Sequence, residues 1–237
     1  MERDYEKYRL QTRPSKEVIA GFRELPTAFL ADVLVKAGVT NFRVRGLSLM
    51  SPSKRRVVGP AVTILMAPTD NTHEFHEAPF IHIEIMEKSE PGDVIVMAAG
   101  GAPYAFWGDH MTTRATKAGL EAGIVDGYVR DVAEIRESAY PVFALGATHE
   151  SFVGHLEPIL YNQPVVCGGA VISAGDLLVG DEDGVVVIHQ HVLPKVIAGI
   201  ERVKELEGWI TNAMTEGVPA SDIYAEVHQR LGADSDK

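Results

Sequence analysis

Between Gly92 and Gly146 the chain alternates short apolar runs with helix-like stretches, and this alternation leaves few folds open. "GDVIVMAA" is a continuous apolar run behind a turn, as expected of a strand buried on both faces. "GGAPYAFWG" follows as a glycine-rich loop, and "DHMTTRATKAGLEAG" as a helix closed by Gly123. "IVDGYV" is the next strand, "DVAEIRESA" a short helix and "PVFALG" a third strand. Strand and helix alternating at this spacing predict βαβ units and a mainly parallel sheet.

The flanks add to this frame. "SKEVIAGFRELPTAFLADVLVKAG" reads as two helical pieces broken at Pro26, with Thr27 as N-cap and Gly38 as C-cap. "VVGPAVTILMA" (57–67) has a strand pattern with a Gly-Pro interruption. "FIHIEIMEK" alternates like a strand but also fits a helix that "SEPGD" would end, and a helix is the expectation here. Residues 164–189 are β-rich: "PVVCGGAVI", "GDLLVG" and "GVVVIH" are joined by glycine-rich turns, with "DEDG" as a hairpin turn. Parallel βαβ units followed by such a segment predict a layered α/β sandwich, not a simple doubly wound sheet. From Val192 to Leu231 the chain is helical, with one apolar stripe at Val196, Ile200, Val203 and Leu206. Long terminal helices of this kind often pack on a neighbouring subunit. The expected organisation is one domain with arms: a helical segment over 1–56, an α/β core over 57–191 and a helical arm over 192–237.

Composition narrows the partners. Hydrophobic residues make up 46% of the 237, enough for a packed core. Formal net charge is -11 and no block of five or six Lys/Arg occurs, which argues against nucleic acid or an anionic membrane as main partner. No run approaches the roughly 18 apolar residues of a membrane span. The start "MERDYEKYRLQTRPSKE" lacks the apolar core of a secretory signal. Cys167 is the only cysteine, so no intrachain disulfide can form, and a cytoplasmic location is expected.

Two strand-to-helix junctions carry the candidate chemistry. "AAGGAPYAFWGDH" (98–110) is neither GxGxxG nor a P-loop, yet its free N–H groups can cradle a carboxylate or phosphate. The plainer alternative is a tight connection in which Asp109 caps the helix. In "VDGYVRDVAEI" (125–135), Asp131-x-x-Glu134 imitates a capping box, which leaves Arg130 unexplained. In an open parallel sheet both junctions lie at the carboxyl ends of strands, where ligands bind. Asp109, Asp131 and Glu134 would then face a hard cation, Mg²⁺ or Mn²⁺ and not zinc, with Arg130 for an anionic substrate. His73-Glu74-Phe75-His76 falls one residue short of HExxH, so His73, His76 and His82 carry little weight as ligands. His149 and His155 flank a segment able to border a pocket, with equally little weight. No GxSxG occurs, no lysine lies in an apolar strand, and Cys167 reads as a small buried residue.

The order Asp109, twenty residues, Arg130-Asp131, two residues, Glu134 is the most specific element of the chain. With "PGDVIVM", "FWGDH", "GIVDGYVRDVAEI" and "PVVCGGAVISAGDLLVGDEDGVVVI", it resembles the family of regulator of ribonuclease activity A and the class II 4-hydroxy-4-methyl-2-oxoglutarate aldolases, over Val57 to His189. The resemblance implies a swivelling β/β/α sandwich assembled as a trimer or as a hexamer of two trimers, with the active site near a subunit interface. It implies a Mg²⁺- or Mn²⁺-dependent lyase cleaving 4-hydroxy-2-oxo acids to pyruvate, with oxaloacetate decarboxylation as a second activity. Carried over by position, Asp131 would bind the metal, Asp109 would hold it through coordinated waters, and Glu134 would be a further ligand through water. Arg130 would grip the 2-oxo and carboxylate oxygens. The loop holding Gly101, Ala102, Pro103, Tyr104, Trp107 and Gly108 would take the carboxylate on backbone N–H groups. A metal-bound water held by Asp109 would remove the C4 hydroxyl proton. The family also holds non-catalytic regulators that bind ribonuclease E or a helicase, and a lyase or hydratase for another sugar-derived acid is a third option. The full carboxylate set favours the enzyme. "HESFVGHLEPILYN" replaces a basic stretch, and the His/Glu-rich segment 72–84 is unusual, so the substrate need not be the methylated oxoglutarate.

Overall fold

A computed structural model of the chain describes residues 10–52, 56–69 and 80–232. The apolar runs become the parallel centre of a ten-stranded mixed sheet. β3 (Val57–Pro68), β4 (Val94–Ala98), β6 (Ala122–Val129) and β7 (Val142–Ala147) lie side by side in that order, each parallel to the next. Every residue of β4 is buried, as its unbroken apolar run predicts for a strand covered on both faces. Around this centre the pairing turns antiparallel. β11 (Leu177–Asp181) joins β3, β12 (Gly184–Ile188) returns by the tight "DEDG" hairpin, and the two-residue β1 (Arg43–Val44) closes that edge. At the other edge β2 (Ser48–Leu49) pairs with β7. The segment over 1–56 therefore supplies two edge strands as well as helices.

Two layers cover this sheet. On one face, the hairpin of β9 (Val165–Cys167) and β10 (Ala170–Ile172) buries Val165, Cys167, Ala170 and Ile172 against Val94, Val96, Ala122, Ile124 and Phe143. On the other, α3 (Ile81–Lys88), α4 (Asp109–Lys117) and α5 (Val132–Ser138) pack Ile85, Met86, Met111, Ala115 and Ile135 onto Ile95, Met97, Val125 and Val129. Hairpin, sheet and helices make the β/β/α sandwich. A third core forms where α1 (Lys16–Phe22), α2 (Thr27–Lys36) and α6 (Leu193–Thr215) cover β11 and β12 through Phe22, Leu30, Leu34, Val196, Ile200 and Val203. α6 ends before Gly217 and α7 (Ala220–Gly232) follows, so the C-terminal arm is two helices.

Four local expectations are corrected. α4 ends at Lys117, and the left-handed residue that stops it is Gly119 (φ +70°); Gly123 lies inside β6, where Trp107 fills the space a Cβ would need. Gly59-Pro60 does not interrupt β3, because Gly59 lets the strand pass against the Gly92 carbonyl, 2.2 Å from where a Cβ would stand. Pro26 occupies the N-cap of α2; Thr27 is its first residue, held by Asp181, which accepts the Thr27 N–H at 2.9 Å and its hydroxyl at 2.6 Å. The "GGAPYAFWG" loop contains a strand, β5 (Ala105–Trp107), and "HLEPILY" contributes β8 (Leu156–Tyr161) beside β3. None of the described helices is long and apolar enough to cross a membrane.

Candidate functional site

β4 stops beside Asp126, and after the turn over residues 99–104 β5 takes its place along the upper half of β6. The chain therefore delivers Trp107, Gly108 and the start of α4 directly to the end of β6, where Arg130 and Asp131 follow. The Arg130 N–H donates to the Trp107 carbonyl at 2.9 Å, which locks the two junctions together. Both predicted junctions thus meet at the carboxyl edge of the parallel strands.

Asp131 departs from the capping-box expectation. It is the N-cap of α5 by position, but its backbone is left-handed (φ 56°, ψ 44°) and its side chain makes no capping bond to its own helix. A non-glycine residue in that region costs roughly 1–2 kcal/mol, which Asp tolerates better than most. The turn swings the carboxylate towards α4, where Oδ2 accepts the Asp109 N–H at 3.1 Å and lies 3.7 Å from Arg130 Nε. Gly108 is the N-cap of α4 and has no side chain to offer, so Asp131 serves that helix instead. A Cβ on Gly108 would stand 2.5 Å from Asp131 Oδ2 and 3.1 Å from Arg130 Cγ, so only glycine leaves room for this contact. The Arg130 and Asp131 side chains are 43% and 40% exposed, and an ion pair this open adds little stability. Both groups remain accessible to a ligand.

The other predicted residues divide. Glu134 is exposed in the first turn of α5. Trp107 is fully buried, donates from Nε1 to Thr112 Oγ1 at 2.9 Å and packs on Gly123, so its indole belongs to the core. In the loop, the Gly101 N–H donates to Asp126 O, that of Ala102 to Ala99 O and that of Ala105 to Glu150 O, while Pro103 has none. Among the described residues the N–H groups of Tyr104 and Gly108 meet no protein acceptor. Tyr104 stacks on His155 with ring centroids 4.2 Å apart, so "HESFVGH" borders the loop. His149 has no bond in this contact. His82 is buried in α3 edge-on to Phe152; burial lowers its pKa to about 4, as suits a neutral core imidazole. His73 and His76 lie outside the described residues. Burial, with the Asp126 charge nearby, pushes the Cys167 thiol up, so it is no nucleophile.

Asp126 was overlooked at the level of sequence, although an acid inside the apolar run "IVDGYV" is itself a signal. It is 7% exposed. Burial raises its pKa, and the nearby backbone N–H groups of Gly168 and Gly100 oppose the rise.

Among the described residues no three His, Cys, Asp or Glu side chains are grouped to hold a metal ion. Asp131 and Asp109 could give a cation two carboxylates at most, and its remaining ligands would have to be waters or groups from elsewhere. A cleft of about 690 Å³ runs from Asp109 along α4, bounded by Glu87, His110, Thr113, Arg114 and Lys117. A larger hollow of about 860 Å³ between α2, α6 and α7 is lined by none of these site residues and has Lys36, Lys195, Arg202 and Arg230 on its walls.

Comparison with known proteins agrees with this architecture. Residues 27–187 match the family model described as RraA-like, Aldolase/RraA. A protein of Halalkalibacterium halodurans named "Putative 4-hydroxy-4-methyl-2-oxoglutarate aldolase" is 31% identical over 217 residues, covering 89% of this chain and 94% of its own. An uncharacterized protein from Pseudomonas syringae pv. tomato superposes with a TM-score of 0.79 at 27% identity, over 91% of this chain and 96% of its own. RraAS2 of Streptomyces coelicolor, described as an unusual member of the RNase ES inhibitor RraA protein family, does so at 0.72 and 27%, over 86% and 98%. The chain belongs to the RraA-like family.

Proposed function

We propose that this protein is a divalent-metal-dependent lyase that cleaves a 4-hydroxy-2-oxo acid, of the 4-hydroxy-4-methyl-2-oxoglutarate type, to pyruvate, and decarboxylates oxaloacetate as a second activity. The observation that supports it most is the turn at Asp131, which sends a carboxylate away from its own helix to stand between Arg130 and the first N–H of α4. Asp131 would hold Mg²⁺ or Mn²⁺, with Asp109 and Glu134 acting through its waters. The bound ion supplies Lewis-acid stabilisation of the pyruvate enolate, the common product of both reactions before its protonation.

Arg130 binds the substrate carboxylate and 2-oxo oxygen with a planar, permanently charged fork that Lys cannot copy. The N-terminus of α4, with the Gly108 N–H beside it, favours negative charge at the same place. Asp109 takes the C4 hydroxyl proton through a water. The C4–O electrons then close to a carbonyl as the C3–C4 bond breaks, and that bond's electrons pass into the enolate. From oxaloacetate, CO₂ leaves and the same enolate remains. The working form on this proposal is a homotrimer or hexamer, in which a neighbouring copy can add a donor that the described residues of one chain do not group with Asp131.

The test is pyruvate release from both acids with Mg²⁺, with Mn²⁺ and with EDTA. Turnover is expected with metal, is abolished by EDTA, and falls at least about 100-fold in Arg130→Ala and Asp131→Ala. Absence of turnover in folded, oligomeric protein contradicts the proposal and favours a regulator of ribonuclease E or a helicase, or another acid as substrate.

A further inference from the structure

Residues 41–45 tie the second β-layer to the main sheet. Within them β1 pairs with β12, and the Phe42 carbonyl accepts the Val187 N–H at 2.8 Å. On their other side they meet the β9–β10 hairpin twice. The Arg45 N–H donates to the Gly168 carbonyl at 2.9 Å, and Asn41 Oδ1 accepts the Val171 N–H at 3.2 Å. The segment is thus a strap between hairpin and sheet, and its first residue is held by His189, which directly follows β12.

Both nitrogens of that ring face oxygen. Nδ1 lies 2.9 Å from Asp176 Oδ2, in the turn between β10 and β11, and Nε2 lies 2.9 Å from the Asn41 carbonyl. Asp176 is buried, and its two oxygens also accept the Ser173 N–H at 2.9 Å and the Gln190 N–H at 3.1 Å. It therefore meets the ring as an acceptor, and a carbonyl can only accept. A neutral imidazole has one N–H and would aim a lone pair at one of these two oxygens, whereas an imidazolium satisfies both. Among the described residues the other titratable group against the ring is His191, exposed and stacked on it with centroids 5.6 Å apart; the strap presents to it only the neutral Asn41. The bond to Asp176 raises the His189 pKa above its ordinary 6.5, helped by the Asn41 bond and the Asp176 charge and opposed by burial.

We infer that His189 is a proton-dependent latch on residues 41–45, and through them on the seat of the β9–β10 hairpin. With both nitrogens protonated, the ring joins Asp176 to Asn41. When one proton leaves, the charge-assisted bond to the carboxylate is the stronger of the two and is kept. Nε2 therefore gives up its proton, and the Asn41 carbonyl is released. The strap then loses its fixed first residue, and Asn41 Oδ1 its firm place in front of the Val171 N–H. This contribution to stability is fully present below pH 6.5 and is lost as pH rises through the raised pKa of the folded protein. The latch stands on the fold and is independent of the activity proposed above.

Imidazole NMR and amide hydrogen exchange on the whole protein, from about pH 5.5 to about pH 9, test this inference. His189 is identified by the signal lost in His189→Gln, or in His189→Asn should Gln not fold. At the acid end both its nitrogens should carry protons, and Nε2 should titrate above 6.5. Exchange of the Val171 N–H, corrected for its ordinary rise with base, should quicken by about tenfold through that titration. The Ser173 and Gln190 N–H groups, held by Asp176, should keep their protection. In either variant the step at Val171 should vanish. A ring that titrates at or below 6.5 overturns the latch. So does Val171 exchange in the native protein that shows no step, or a step of equal size in the variants.

Discussion

Asp131 gives its carboxylate to a helix other than its own, and that one choice separates a candidate site from a routine helix start. In the sequence, Asp131-x-x-Glu134 has the form of a capping box, and local pattern alone favours that outcome. The left-handed backbone at Asp131 could not be foreseen, because it is imposed by the neighbouring junction: Gly108 leaves α4 uncapped, and the Asp109 N–H draws the carboxylate over. Arg130, Asp109 and Asp131 were legible as a set because two strand ends in one parallel sheet must share an edge. The packing of the Trp107 indole was not legible, because the slot that takes it is opened by Gly123, sixteen positions later. Gly108→Ala is the direct probe at this scale. Its backbone (φ −157°) is ordinary for any residue, so only the new methyl acts, pressing on Asp131 Oδ2 and Arg130. We expect a stability loss of about 1–2 kcal/mol with a fall in kcat/KM of at least about tenfold. Normal kinetics in that variant would show that the close approach of Gly108 to Asp131 has no part in activity.

Elements with a clean local period were readable: the three strands and two helices between Val94 and Ala147, the β-rich segment, and α3 from "FIHIEIMEK". Those missed depend on distant partners. β5 is three residues that become a strand only by lying on β6, and β8 pairs with β3 about a hundred positions earlier. The boundary of α4 was missed because two glycines, Gly119 and Gly123, compete there and only Gly119 takes the left-handed geometry. α3 also carries a stability prediction. His82 Nδ1 is buried without a partner among the described residues, and the ring lies 5.4 Å from that of Phe152. Its pKa is depressed from 6.5 to about 4. Above pH 6.5 both folded and unfolded forms are neutral; below it the unfolded chain takes a proton that the folded chain refuses. Stability is therefore present above pH 6.5 and is lost as pH falls towards about 4, by up to roughly 1.4 kcal/mol per unit. His82→Phe removes this penalty, so its melting temperature relative to the native protein should climb as pH is lowered from 7 to about 4.5. Parallel melting profiles would contradict a buried, neutral His82.

Over the whole molecule, the acids of a chain with net charge -11 sort by sheet edge. At the start of the parallel strands, Asp93 and Glu121 are buried and bound by Arg13 and Arg23 of the N-terminal segment, at 3.1 and 2.7 Å. Those pairs fasten the arm to the sheet. At the finish of the same strands, Asp109 and Asp131 stay accessible, with Arg130 beside Asp131. These two structural ion pairs thus stand at the end of the strands opposite the candidate chemistry, which lies at the carboxyl edge where ligands meet a parallel sheet. That the accessible pair serves a metal is the central claim, and Mn²⁺ binding measured by electron paramagnetic resonance tests it without any substrate. The account predicts one bound Mn²⁺ per chain in the native protein, with affinity lost by at least about 100-fold in Asp131→Ala and weakened by roughly tenfold in Asp109→Asn, where a water-mediated partner is removed. Equal Mn²⁺ binding by native protein and Asp131→Ala, or none by either, would contradict it.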